Sequence, residues 1–219
     1  MHPDLSYPLT FEDGYITSLV IEHQDFFRRF LEDLVLQIDG YDGDAVLSKN
    51  NTPISFSNFA TVISSFIPFE INQKPLLTKL VASLEKTALD ETHYLASMEL
   101  LQHIESYFEG LFYEYPCDMG CTKLSLSSLI RSVGIEFNGE YTHPIEKILD
   151  YMELVREFEK RDKLFIFVNM RSYFSTSTME SFLATALSHG HRILLLDGWS
   201  HSKLSCEQRL TIDTDLCEI

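Results

Sequence analysis

The sequence has little positive charge, few cysteines and no apolar stretch long enough to cross a membrane. Its 219 residues include 17 Lys and Arg against 33 Asp and Glu, which gives a formal net charge of −16. This balance counts against a nucleic-acid-binding protein coated with basic surface, although it leaves room for a small basic stripe within an acidic shell. The hydrophobic fraction of 45% is ordinary for a globular protein, so we expect a sizeable core.

The cysteines and the N-terminus indicate a reduced, soluble, cytoplasmic protein. Residues 1–13 lack the basic-then-apolar pattern of a signal peptide. The four cysteines of such a chain are expected to be free thiols rather than a disulfide framework. Cys117 and Cys121 are four residues apart, but no Cys or His pair accompanies them to complete a metal site, so we interpret them as loop thiols.

Motifs of nucleotide-binding and catalytic sites are also missing. None of the nine glycines begins a phosphate-binding loop, and there is no nucleophile elbow and no two-histidine metal motif. Asp197 follows an apolar run, as the magnesium-holding acid of phosphate-loop enzymes does, but without the loop it is interpreted as a strand-end turn residue. His189 and His191 flank Gly190 and are expected to point in different directions as a loop pair. These absences argue against a nucleotide-dependent enzyme.

The clearest pattern that is present predicts a βαβ unit near the C-terminus. Lys163–Asn169 (KLFIFVN) is a nearly unbroken apolar run that is typical of a strand buried on both faces. A helix follows, with a capping-box pattern at Ser177 and Glu180. A second apolar run, Arg192–Asp197, closes the unit, so the two strands should be parallel.

A long helical region interrupts the α/β part of the sequence. From residue 74 to residue 115 apolar residues recur three and four apart, with Pro75 in the first turn. This spacing predicts one long helix or two collinear helices, on the order of 60 Å if continuous. A short amphipathic helix follows over 125–133. We therefore predict an α/β fold in which a mixed-sheet head, residues 1–71 and 139–219, carries a long projecting helical leg, residues 72–138.

Several shorter elements complete the prediction. We expect a hairpin around Asn50-Asn51, one or two helical turns over 58–64, and edge strands over 5–10 and 209–213. Residues 135–137 are expected to form a short strand that returns to the head.

A set of carboxylates lies along the distal part of the long helical region. These side chains could hold a hard cation, since such ions prefer oxygen ligands. The alternative interpretation is a solvated acidic surface. The candidate ligands are Glu105, Glu109, Glu114 and Asp118.

Taken together, these blocks resemble one known family, the small ring-forming accessory proteins of type II-A CRISPR adaptation modules. The resemblance extends over essentially the whole chain and rests on several moderately specific blocks rather than on a catalytic signature. The blocks are residues 9–22 (LTFEDGYITSLVIE), 70–84 (EINQKPLLTKLVASL), 128–134 (SLIRSVG) and 162–169 (DKLFIFVN).

The resemblance implies a fold, an assembly and a function. It implies a head related to phosphate-loop proteins that has lost its nucleotide site, and a homotetrameric ring that is not an enzyme. The ring would bind linear double-stranded DNA ends without sequence preference and act in spacer acquisition, with the CRISPR integrase proteins and the effector nuclease as partners. No membrane partner is implied. A scaffold that docks the other adaptation proteins with little DNA affinity is the alternative.

The resemblance also implies site residues. Lys79 and Arg131 fall where relatives carry basic residues, and Lys74 and Lys86 lie on the same leg; their role would be to neutralise DNA phosphates. Relatives bind calcium through a dense acidic run, but residues 115–123 contain one acid here. Either Ca²⁺ is held by the four carboxylates named above, or the protein dispenses with calcium.

Overall fold

A computed structural model describes residues 1–122 and 124–219. Lys123, the last residue of the acid-poor segment, lies outside the described residues. The strands are β1 (Ile16–Ile21), β2 (Leu47–Lys49), β3 (Thr52–Ile54), β4 (Ala60–Ile63), β5 (Leu164–Val168), β6 (Arg192–Asp197) and β7 (Glu207–Ile212). The α-helices are α1 (Gln24–Ile38), α2 (Phe56–Phe59), α3 (Lys74–Ala88), α4 (Tyr94–Phe112), α5 (Leu126–Val133), α6 (Pro144–Glu159) and α7 (Thr176–Ser188), and a 3₁₀ turn spans Met170–Ser172.

The chain forms two compact units. The first unit comprises Met1–Phe69 and Tyr141–Ile219, and the second unit comprises Glu70–Glu140. None of the helices in the described part of the chain is long and apolar enough to span a membrane.

A five-stranded sheet organises the first unit. Its order is β4-β5-β6-β1-β7, and all four pairings are parallel. Strands β1 and β5 are buried along their whole length, which explains why their sequences are apolar throughout instead of alternating. Phe26 and Phe30 of α1 pack in the core on one face, and Phe182 of α7 makes an edge contact with Phe167 on the other, with ring centroids 5.6 Å apart.

The predicted α/β fold and its βαβ unit are confirmed. One detail of the prediction was wrong, since the sheet was expected to be mixed and its described strands are all parallel. Antiparallel pairing with this sheet is limited, in the described residues, to a bridge between Ile212 and Glu218. The helix cap also differs from the prediction: the Ser175 side chain accepts the amide of Thr178 at 3.2 Å and caps α7. Glu180, predicted to complete the box, instead accepts from Ser205.

Local predictions near the sheet had mixed outcomes. The hairpin is confirmed, with both Asn50 and Asn51 in the left-handed conformation that a two-residue turn needs. Residues 58–64 were predicted to be helical, but α2 ends at Phe59 and β4 follows because it pairs with β5. Residues 5–10 and 135–137 were predicted to be strands and are irregular.

The second unit contains α3, α4 and α5, and α5 packs against α3. The sequence predicted one long helix or two over residues 74–115, and the chain forms two, α3 and α4, separated by a turn at residues 89–93. Asp90 causes the break, because its side chain accepts the amides of Thr92 and His93 at 2.9 and 2.8 Å and so takes these groups out of the helical pattern. The Ser97 hydroxyl donates to the Ala88 carbonyl and ties the two helices together across the turn.

Candidate nucleic-acid interface

Helix α3 carries three of the four basic residues that the sequence singled out. Lys79 and Lys86 are seven residues apart, which places them two turns apart on the same side of the helix. Lys74 begins the helix and lies about a third of a turn away from that side. Lys74 and Lys86 are exposed, and Lys79 is half-buried.

Helix α5 carries the fourth basic residue, Arg131. Ser125 caps its N-terminus by accepting the Ser128 amide at 3.1 Å, and Gly134 ends it with a φ of +69°, a conformation that favours glycine. Arg131 is exposed in the last turn, where the helix dipole favours positive charge. Because α5 packs against α3, the structure brings all four basic residues onto two neighbouring helices.

The basic residues of the two units differ in their partners. Across residues 1–122 and 124–219, the structure gives Lys74, Lys86 and Arg131 no carboxylate partner. In the first unit most cations are paired with carboxylates: Arg28, Lys49, Arg156, Lys160, Lys163, Arg171, Arg192 and Arg209. The second unit therefore presents cations whose charge is available to an external anion.

A side-chain clasp holds the ends of the second unit together. The Asn72 amide nitrogen donates to the Phe137 carbonyl at 3.3 Å, and the Phe137 amide donates to Asn72 Oδ1 at 2.8 Å. The clasp joins the segment before α3 to the segment after α5. Sequence reasoning missed it, because an asparagine before a helix gives no sign of a partner 65 residues away.

The four carboxylates proposed as calcium ligands are not gathered into one group. Glu105 and Glu109 lie on α4, Glu114 follows its end, and Asp118 lies in the next loop. Glu109 and Asp118 line the same open cavity. The only group of three or more potential metal ligands found within the described residues lies elsewhere, in the first unit. Ca²⁺ takes six to eight oxygens, so these four side chains do not fit calcium in the arrangement seen here.

Asp197, interpreted from the sequence as a turn residue, is part of a buried ionic cluster. Its carboxylate is 1% exposed and lies 3.3 Å from Nε of Arg171. Arg171 also donates from Nη2 to Glu207 at 2.7 Å and to the Ser18 hydroxyl at 3.1 Å. The Arg171 guanidinium thus lies beside Asp197, the residue whose position resembles that of the magnesium-holding acid of phosphate-loop enzymes.

The surroundings of the cluster shift the pKa values of Asp197 and Glu207 in opposite directions. Burial raises the pKa of Asp197 to about 6, although the charge of Arg171 opposes this shift. Burial would also raise the pKa of Glu207, but hydrogen bonds from Arg209, Arg171 and the Leu204 amide outweigh it and lower that pKa to about 2. The negative charges of Asp197 and Glu207 thus lie beside the guanidinium groups of Arg171 and Arg209, but among the described residues neither oxygen of Asp197 accepts a hydrogen bond.

Comparison with protein families decides the affiliation of the chain. Residues 37–216 match the model of a family described as CRISPR-associated protein (Cas_Csn2). The chain belongs to the Cas_Csn2 family. The recognition made from the sequence is thereby confirmed, and the protein is CRISPR-associated. Of the four sequence blocks that supported the recognition, residues 9–22 precede the matched region.

A solved structure also resembles the chain. The crystal structure of Stu0660 of Streptococcus thermophilus has a TM-score of 0.56 and 14% sequence identity, and the match covers 88% of this chain. The chain spans 66% of the length of that protein. At this identity the likeness shows a shared fold, which agrees with the α/β architecture described above. No curated protein sequence matches the chain.

Within the Cas_Csn2 match lie all the candidate DNA-binding residues and all the candidate calcium ligands. Their placement is known from the structure, but their function is not decided by family membership. We therefore treat the basic residues of α3 and α5 as a proposed interface.

Proposed function

We propose that this Cas_Csn2 protein is a non-catalytic, sequence-independent binder of linear double-stranded DNA ends that acts in CRISPR spacer acquisition. In this proposal the chain forms a homotetrameric ring, and the integrase proteins and the effector nuclease are its partners. The observation that carries the proposal is the set of cations on α3 and α5, of which Lys74, Lys86 and Arg131 are exposed and have no carboxylate partner in the described chain.

Phosphate neutralisation fits this arrangement. Contacts to phosphates fix a duplex in place without reading its bases, so lysine and arginine side chains suffice and no base-reading motif is needed. A ring repeats each side chain once per subunit. A few cations per protomer can therefore bind DNA despite the net charge of −16.

Two observations support the non-catalytic part of the proposal. The sequence has no phosphate-binding loop, and Arg171 lies against the acid that would otherwise hold a metal. The proposed activity is binding alone.

The first experiment is a competition gel shift with purified full-length protein. Linear duplex competes against closed circular plasmid of the same sequence at two salt concentrations. Preference for linear DNA that weakens with salt would support loading from an end. Equal binding to both forms would instead indicate a surface patch and contradict loading from an end. Arms with and without Ca²⁺ test the calcium requirement that the family resemblance implies.

A pair of matched variants tests the interface itself. Lys86→Ala/Arg131→Ala removes one lysine and one arginine from the second unit, and Arg28→Ala/Lys203→Ala removes the same exposed charges from the first. The first variant should weaken binding and reduce the dependence of log K on log salt by about 0.9 for each phosphate that the protein no longer neutralises, whereas the second should match the wild-type protein. Equal effects of the two variants would refute the assignment of the interface.

The scaffold is the second candidate, and the strongly acidic composition favours it. It predicts binding to the integrase or the nuclease without salt-sensitive DNA affinity. Failure of a verified oligomer to bind either form of DNA would exclude the DNA role and leave the scaffold.

A further inference from the structure

A cluster of two histidines and one glutamate in the first unit is independent of the proposed DNA interface. Glu153 Oε1 lies 2.7 Å from Nδ1 of His189 and 2.8 Å from Nε2 of His191. The three ligand atoms all lie within 4.8 Å of one another. The sequence predicted that the two histidines would point in different directions, and this prediction was wrong.

The turn between α7 and β6 explains why the histidines converge. Gly190 has a φ of +76°, a left-handed conformation that reverses the chain between them. The turn is fixed by backbone hydrogen bonds from His189 to the Thr185 carbonyl and from His191 to the Ala186 carbonyl. The two imidazoles therefore approach the same carboxylate on α6 from a rigid support.

The packing around the cluster fixes its ligands further. The side chain of His191 is 3% exposed, and its ring makes a T-shaped contact with the Phe165 ring, with centroids 5.5 Å apart. Arg156 donates to Glu153 Oε2 and to the carbonyl of His189. The arginine charge lowers the attraction for a cation, but its hydrogen bond leaves Glu153 Oε1 facing the imidazoles. His189 is exposed, which provides a route from solvent.

We propose that Glu153, His189 and His191 form a binding site for a divalent transition-metal ion of the Zn²⁺ type, with the fourth position open to water. Two imidazole nitrogens and one carboxylate oxygen are a donor set that Zn²⁺ accepts, whereas Ca²⁺ and Mg²⁺ prefer oxygen ligands. Tetrahedral bonds of 2.0–2.2 Å require ligand atoms about 3.3 Å apart. The two Glu153 contacts would therefore lengthen by about half an ångström, and the ion would replace the hydrogen bonds that now join the three side chains. Bound there, it would tie α6 to the turn between α7 and β6.

The test is a calorimetric titration of ZnCl₂ into untagged, chelator-treated full-length protein. Cys117→Ser and Cys121→Ser are introduced in every sample, because exposed thiols bind Zn²⁺ nonspecifically and would add to the measured binding. The parent protein of this test is therefore the chain with these two substitutions. One equivalent of Zn²⁺ should bind per chain. Glu153→Gln and His189→Gln should each weaken binding about 100-fold or more, since loss of a mere hydrogen-bond partner of a ligand already costs 10–100-fold.

The control is His103→Gln, which removes an exposed histidine from α4 in the second unit. It should bind Zn²⁺ as the parent protein does. Imidazole ¹⁵N shifts provide a second readout, and only His189 and His191 should change on addition of Zn²⁺. Absence of binding in the parent protein, or equal affinity in the parent and the Glu153→Gln variant, would overturn the proposal. Melting curves without metal verify that each variant is folded.

Discussion

Replacing Arg171 by methionine tests whether the buried ionic cluster holds the first unit together. The guanidinium is 4% exposed and contacts both Asp197 and Glu207, whose side chains are 1% and 0% exposed. Methionine removes the charge and retains much of the apolar volume. Breaking a buried ion pair from one side leaves uncompensated charge, which typically costs 3–5 kcal/mol.

The expected loss of unfolding free energy follows from the pKa values of the two carboxyl groups. The pKa of Glu207 is about 2, so its interactions contribute about 3 kcal/mol at pH 7, of which we assign roughly half to Arg171 and the rest to Arg209 and the Leu204 amide. The pKa of Asp197 is about 6 with Arg171 present. Loss of Arg171 removes a charge that holds the Asp197 pKa down, so this pKa rises further and the ionised form is lost at a cost that is at most about 1.4 kcal/mol at pH 7. The sum is a loss of about 3 kcal/mol.

The assay is urea unfolding followed by the fluorescence of Trp199. This is the single tryptophan of the chain, and it lies in the first unit next to His201, with ring centroids 5.7 Å apart. Arg28→Met is the matched control, because its ion pair with Glu32 is exposed and should be worth less than about 1 kcal/mol. A loss of under 1 kcal/mol for Arg171→Met would refute the reasoning that the cluster depends on its arginine.

Three other perturbations address the pH dependence, the clasp and the core. The folded-state pKa of Asp197, about 6, lies above its ordinary value of 3.8, so protonation favours the folded state as the pH falls. The contribution of Asp197 to the unfolding free energy should therefore rise by about 2 kcal/mol between pH 7 and pH 4. Comparison of unfolding series isolates this contribution, because Asp197→Asn should lack it while keeping the opposite contribution of Glu207. Asn72→Ala removes both hydrogen bonds between Asn72 and Phe137. Hydrogen exchange of the Phe137 amide should then be at least about fivefold faster, which corresponds to a loss of 1–3 kcal/mol. Asn138→Ala, at an exposed neighbouring position, is the control and should leave this exchange unchanged. Phe182→Ala empties a fully buried site against Phe167 and should cost about 3–5 kcal/mol in urea unfolding; a loss below 1 kcal/mol would contradict the packing described for that face of the sheet.

The elements that were predicted well are those with strong local signals. Strands β5 and β6 are short apolar runs bounded by polar residues, and the short amphipathic helix predicted over 125–133 is α5. Such patterns are set by neighbours within a few residues. The sequence therefore sufficed for the α/β class, the βαβ unit and the family.

Elements that depend on distant partners were not predictable in the same way. Strand β4 exists because β5 lies beside it, and the all-parallel sheet depends on strand pairings that no local window contains. Apolar spacing left open whether residues 74–115 form one helix or two, and it did not locate the break, because the break is made by hydrogen bonds to the Asp90 side chain.

The candidate sites also combine features that are local in the sequence with features that depend on distant contacts. The sequence alone determined which basic residues lie on helices, since their positions in the helical pattern are local. Only the tertiary structure decided which of them lack carboxylate partners, that Arg171 meets Asp197 and Glu207, and that Glu153 meets His189 and His191. Charge compensation and metal-ligand geometry depend on distances of a few ångströms between residues that are tens of positions apart, and the fold alone sets those distances.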